Sequence, residues 1–290
     1  MSESKPFELT LDEVRVLCEL LPALILPPGF AVDPFDTGDS DSTVSARRAA
    51  ALGSLREREV VTVGEDVELD ALVVAPALRI ALSLHAIAEG AFRAHAWTPA
   101  DETRELISIN RKSCASLRRV RARVAEPNDP SEHLIVSLFD ARWLADHLLE
   151  LVSCDAADER RGLESTEIGI ADSRAIIDAL RRRDTDVVAS LAGVMDAQPA
   201  VELLDELTGS MESGFRLELF DSDARCVHAG DWFRGRTSWL AVNLFPGTQR
   251  VSAHSLAENG RVRITRVSRV FMRADLVDLV AGLVGERYAA

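Results

Sequence analysis

The segment Gly230 to Thr237, GDWFRGRT, comes closest to a nucleotide signature: it matches G-x-x-x-x-G-K-[ST] except that Arg236 replaces the lysine. A phosphate loop needs a strand before it and a helix after it, so that backbone amides at the helix N-terminus face the phosphates. The residues that follow, Thr237 to Leu244, alternate like a strand, so a hairpin turn is expected here and phosphate binding is not. The glycines around Ser210 and Ser213 have the wrong spacing for a G-x-S-x-G nucleophile elbow. The histidines, at positions 85, 95, 133, 147, 228 and 254, are dispersed, with no HExxH and no pair at helical metal spacing. His85 and His147 lie in apolar helical stretches, the usual setting of a packing histidine. Asp33, Asp36, Asp39 and Asp41 are interleaved with Gly and Ser between Ala31 and Thr43. Their spacing does not fit the D-x-[DN]-x-[DN]-G calcium loop and no bidentate glutamate follows at the required distance, so a solvated loop is expected. Cys18, Cys114, Cys154 and Cys226 occur singly, which reads as reduced thiols rather than a zinc ribbon or a disulfide framework. No catalytic residues, no metal ligands and no cofactor are expected, and the chain reads as a non-enzyme.

Charge narrows the partners. The 290 residues carry 33 Lys and Arg against 47 Asp and Glu, a net charge of −14 that phosphate backbones and anionic membrane surfaces repel. No positively charged leader precedes an apolar run, and no stretch approaches eighteen uninterrupted apolar residues, so a cytoplasmic protein without membrane insertion is expected. Lys5 and Lys112 are the only lysines. Two features suit a protein partner. Asn110, Arg111, Lys112 and Ser113, followed by Arg118, Arg119, Arg121 and Arg123, form a basic stretch in an acidic chain, which serves either an acidic partner or simply the exposed face of a strand. Trp232 and Phe233, beside Arg234 and Arg236 on an expected turn, are of the types enriched at interface hot spots, with burial as the alternative.

The elements that must position these residues follow from periodicity. Phe7 to Leu11 alternate like a short strand, and Asp12 stands as N-cap of a helix carrying Val14, Leu17, Cys18 and Leu21, which Pro27, Pro28 and Gly29 end. Helices are expected over Val44 to Arg58 and Glu68 to Glu89, joined by a turn at Val60 to Gly64; Pro76 makes the second begin late or kink. A meander follows: Glu105 to Ile109, Ala115 to Arg123 and His133 to Phe139, with a turn at Asn110 to Ser113 and a loop at Glu126 to Pro130. Asp140 caps a helix whose stripe is Trp143, Leu144, His147, Leu148 and Leu151.

The pattern then repeats. FELTLDEVRVLCELL near the start matches TEIGIADSRAIIDAL at Thr166 to Leu180, and VSLFDARWLADHLLELV at Val136 to Val152 matches SRVFMRADLVDLVAGLV at Ser268 to Val284. Between the later pair lie helices at Asp186 to Met195 and Ala200 to Thr208. Strands follow at Phe215 to Phe220, Arg225 to Ala229, Thr237 to Leu244, Val251 to Ser255 and Val262 to Val267. The expected fold is α+β: a central antiparallel sheet flanked by helical bundles, in pseudo-twofold duplicated halves, residues 1–153 and 154–290, joined as one continuous domain.

On this order of elements, with LTLDEVRVLCELLPALILPP, AALGSLREREVV and ADLVDLVAGL, the chain resembles the EspG family of type VII secretion chaperones of mycobacteria and their relatives. Gly247 to Arg250, GTQR, is similar to the family's Gly-Arg pair before the last helix but places Thr and Gln between the two. The resemblance implies a non-enzymatic cytoplasmic chaperone that binds PE–PPE heterodimers and shields the apolar tip of the PPE helical bundle until export. It further implies contacts from the hairpin of the first half and the helical bundle of the second, hence Arg111, Lys112 and Ser113, and Leu203, Leu204 and Leu207. A DNA-binding regulator built on the helices from Val44 to Glu89 fits poorly with the acidic balance. A small-molecule binder or minor enzyme with a cleft between the halves is the alternative. Oligomeric state stays open.

Overall fold

A computed structural model describes residues 5–22, 24–35, 40–63, 72–122, 132–152, 165–195, 198–209, 212–235, 239–245 and 260–288. The chain divides into two compact units, Met1–His95 with Ala100–Leu144 and Leu219–Val227, and Ala96–Pro99 with Ala145–Glu218 and His228–Ala290.

In the first unit, β1 (Phe7–Thr10) runs into α1 (Leu11–Leu20), followed by α2 (Asp41–Glu57), a small hairpin of β2 (Val61–Val63) and β3 (Leu72–Val74), and α3 (Pro76–Leu84). A 3-10 turn, His85–Ile87, leads to the meander β4 (Gly90–Trp97), β5 (Asp101–Asn110), β6 (Ser113–Ala122) and β7 (His133–Asp140). The sheet order is β1-β7-β6-β5-β4, which places the first strand beside the last. Leu117, Val136 and Leu9 lie on one sheet face in register, Leu117 opposite Val136 and Leu9 opposite Leu134. On that face α1, α2 and α3 bury Leu17, Leu55 and Leu78 almost completely. Each such burial contributes roughly 1.5–3 kcal/mol relative to exposure.

The second unit repeats this arrangement. After α4 (Leu144–Glu150) come β8 (Ser165–Gly169), α5 (Ile170–Arg182), α6 (Thr185–Met195) and α7 (Gln198–Thr208). Then follow β9 (Gly214–Phe220), β10 (Cys226–Arg234), β11 (Trp239–Phe245), β12 (Arg261–Val267) and the long α8 (Arg269–Tyr288). The strand order is β8-β12-β11-β10-β9, again first beside last. Ile168, Val262, Ile264 and Leu240 point at α5 and α7. The fold is α+β and antiparallel, as expected.

Several local expectations change. Thr10, not Asp12, caps α1: its side chain accepts from Glu13 N at 3.2 Å, while Thr10 N donates to Glu13 Oε2 at 2.8 Å. The helix stops at Leu20, just before Pro22, rather than at Pro27. No helix spans Glu68 to Glu89; the β-branched run Val61–Val63 pairs with Leu72–Val74, and α3 starts with Pro76 at its first turn, where a missing N–H costs nothing. The meander gains β4, whose alanine-rich GAFRAHAW has weak strand propensity yet alternates buried and exposed positions. The expected loop at Glu126 to Pro130, strand Val251 to Ser255 and GTQR lie outside the described residues.

Candidate functional site

The β5–β6 hairpin closes through two residues, Arg111 and Lys112, between the paired Asn110 and Ser113. Arg111 takes a positive φ of 54°, the conformation that lets so short a loop follow the twist of its strands. Three hydrogen bonds hold the tip. Asn110 Nδ2 donates to Ile87 O at 2.6 Å, Arg111 N donates to Glu89 Oε2 at 3.2 Å, and Ala141 N donates to Lys112 O at 2.9 Å. Arg111 and Lys112 are exposed and Ser113 half-buried, so these three nominated residues do form a presented tip.

The rest of the basic stretch does not join them. Cross-strand pairing sets Arg118 opposite Glu105 and sends Arg118 and Arg119 to opposite faces. Arg118 Nε donates to Glu105 Oε2 at 3.1 Å, and fully buried Glu105 also accepts from Ser116 Oγ. Arg119 pairs with buried Glu132 and donates to Gly29 O at 3.3 Å. These arginines neutralise carboxylates that would otherwise be buried alone. Around them a small polar cleft of about 120 Å³ is lined by Glu102, Arg104, Arg119, Arg121, Glu132 and Gly29. There Arg104 Nη2 lies 2.6 Å from Glu102, so the cleft is largely self-compensated. Arg123 lies outside the described residues.

Leu203, Leu204 and Leu207 are 3%, 1% and 5% exposed and belong to the core of the second unit. Their helical spacing turns one face of α7 onto the sheet, so they are not a presented contact face. What the helical cluster does present is a groove of about 400 Å³ among Leu180, Arg183, Thr185, Val188, Val201 and Asp205, apolar along its walls.

Trp232 and Phe233 are also corrected. They sit inside β10, not on a turn, and period two sends their rings to opposite faces. Trp232 is 4% exposed and packs on Phe215 with ring centroids 5.5 Å apart. Phe233 meets the edge of Trp97 at 5.9 Å. The exposed tryptophan is instead Trp143, at 48%, expected on the apolar stripe of its helix. The stripe belongs to Leu144, Leu148 and Val152; Trp143 stands in a 3-10 turn, Ala141–Trp143, which Asp140 caps by accepting from Arg142 N at 3.0 Å.

His85 is a packing residue: its Nδ1 lies 2.5 Å from Ser108 Oγ, and burial lowers its pKa to about 4. Asp12, expected as a cap, is clasped by Arg47 at 2.7 Å and Arg15 at 2.5 Å. Burial alone would raise its pKa, but hydrogen bonds and charge from these arginines hold it below the usual value. In the Ala31 to Thr43 loop, Asp33 O accepts from Arg15 Nε at 2.8 Å and Asp41 opens α2; Asp36 and Asp39 lie outside the described residues. Burial pushes the Cys114 thiol up to about 12, with Asp140 adding to it. Among the described residues no group of three His, Cys, Asp or Glu is placed to hold a metal ion, and no helix is long and apolar enough to cross a membrane. Neither a protein-family model nor any curated protein matches the chain.

Proposed function

We propose that this chain is a cytoplasmic secretion chaperone of the EspG type that binds PE–PPE heterodimers and covers the apolar tip of the PPE helical bundle. The observation that supports it most is the twofold use of one topology, in which a strand running into a helix returns beside the last strand of a meander. This is the duplicated arrangement that the resemblance of LTLDEVRVLCELLPALILPP and ADLVDLVAGL implies.

Two presented features fit such a role. The α5–α7 groove offers apolar walls of the size that takes the end of a helix, and its edges carry Arg183, Thr185 and Asp205 to orient polar groups around it. Covering an exposed helix tip there removes an aggregation-prone patch from water. The Arg111–Lys112 tip supplies a second, polar contact. The test is to express a PE–PPE pair from the same genome with and without this chain and measure its soluble fraction. The reading expects the pair to remain soluble only with the chain present; equal solubility in both cases overturns it.

A further inference from the structure

One end of the first unit gathers three unlike elements. The β5–β6 tip contributes Arg111 and Lys112, the 3-10 turn before β4 contributes Ile87, and the 3-10 turn after β7 contributes Arg142 and Trp143. The bonds from Asn110 to Ile87 O and from Ala141 N to Lys112 O tie all three together, so their side chains share one surface. That surface is apolar and cationic at once. Ile87 is 66% exposed and Trp143 48% exposed, and the Arg142 guanidinium lies over the Trp143 ring at 5.3 Å. Among the described residues neither Arg111 nor Lys112 has an ion pair. Two carboxylates belong to the same end, and both are engaged by backbone amides: Glu89 accepts from Arg111 N, and Asp140 from Arg142 N with Arg142 Nε 3.9 Å away.

In a chain of net charge −14, exposing a tryptophan among three cations is not what solubility alone selects. Trp and Arg are the residues that carry interface energy, and cations around an apolar anchor, two of them without an ion pair, match carboxylates around an apolar side chain. We infer that the surface of Ile87, Arg111, Lys112, Arg142 and Trp143 docks an acidic amphipathic peptide segment of a protein partner. A long polyanion would feel the acidic remainder of the chain, whereas a short segment meets chiefly the cations of this end. The inference shares the hairpin tip with the chaperone reading and to that extent rests on it. Its test needs no PE–PPE pair, so the two can fail separately.

The experiment uses the full chain and its own tryptophan emission, because Trp232 and Trp239 are buried and Trp97 half-buried, leaving Trp143 the most open to quenchers. The probe is a short synthetic helical peptide with glutamates on one face and leucines on the other, and a twin with lysine for each glutamate. Iodide is expected to quench better than caesium, and the acidic peptide, not its twin, to protect the emission. Protection should fall by roughly tenfold in apparent affinity in the double variant Arg111→Glu, Lys112→Glu, and weaken with added salt. Trp143→Phe should remove the larger part of the quenchable component and the protection with it. The inference is overturned if the acidic peptide gives no protection, if both peptides protect equally, or if the double variant is protected as well as the parent. Protection by anionic phospholipid vesicles in place of the peptide also overturns it.

Discussion

Glu206 Oε2 on α7 accepts a hydrogen bond from Arg266 Nη2 on β12 at 2.6 Å, with the two side chains only 6% and 12% exposed. Arg266 sits opposite Leu240 in the ladder, on the face that α7 covers, so this pair and the leucines beside it fix the helix against its sheet. The groove that the chaperone reading uses is built on that helix.

Removing one partner of this pair takes away a charge-assisted bond in a site with little water, which costs up to about 3–5 kcal/mol. Glu206→Ala should therefore lower the urea midpoint of the second unit sharply, read by far-ultraviolet circular dichroism. The double substitution Glu206→Leu, Arg266→Met should recover much of the loss, since both members of the pair are then apolar.

His85 makes the fold acid-sensitive in a definite window. Above its ordinary value of about 6.5 the imidazole is neutral both folded and unfolded, so it adds no pH dependence. Between there and about 4 the unfolded chain takes up a proton that the buried ring refuses, and stability falls as pH falls. The difference in pKa corresponds to a loss of about 3 kcal/mol across the window. Unfolding midpoints measured from neutral pH down to that range should show a shallower slope for His85→Gln than for the parent.

At the start of β9, Gly214 is required by a close approach. A Cβ there would stand 2.4 Å from Trp97 Cζ2 and 2.9 Å from Trp232 O. Gly214→Ala should cost about 1–3 kcal/mol through overpacking and shift the tryptophan emission. Gly53 in α2 has no neighbour within 4 Å of its would-be Cβ. Gly53→Ala should instead stabilise the chain by up to about 1 kcal/mol of helix propensity, read as a raised thermal midpoint.

The thiols should separate by burial. Cys226 is exposed, while Cys114 is buried with its thiolate suppressed. Brief iodoacetamide treatment of the native chain, followed by peptide mass analysis, should label Cys226 and leave Cys114 unmodified until the protein is unfolded. Early labelling of Cys114 would show that the sheet opens there.

What could be read in the residues was the strand-then-helix start of each unit and most of the meander, because a switch from period two to period 3.6 is local information. The Thr10 cap was also legible in principle: Thr10 and Glu13 have the spacing of a capping box, but the nearer Asp12 drew the assignment. The β2–β3 hairpin was not, because its strands are three residues each: the first reads as the turn Val60 to Gly64 and the second is absorbed into the helix expected from Glu68. Side-chain fate was the harder problem. Arg118 beside Glu105 follows only once the β5–β6 register is known, and the inward turn of Leu204 only once α7 has a sheet to cover. Trp143 lies off the buried stripe because the helix expected straight after Asp140 begins three residues later, at Leu144, behind a 3-10 turn that holds the ring.

The central claim is a protein partner held in part by the α5–α7 groove, and the mass of a co-expressed complex tests it most directly. With a PE–PPE pair from the same genome, size-exclusion chromatography with light scattering should give one complex containing all three chains. Ala189→Arg, which fills the groove from an exposed position on α6, should release the pair without unfolding the chain. Elution of this chain alone beside a soluble pair, or a complex indifferent to Ala189→Arg, would contradict the account.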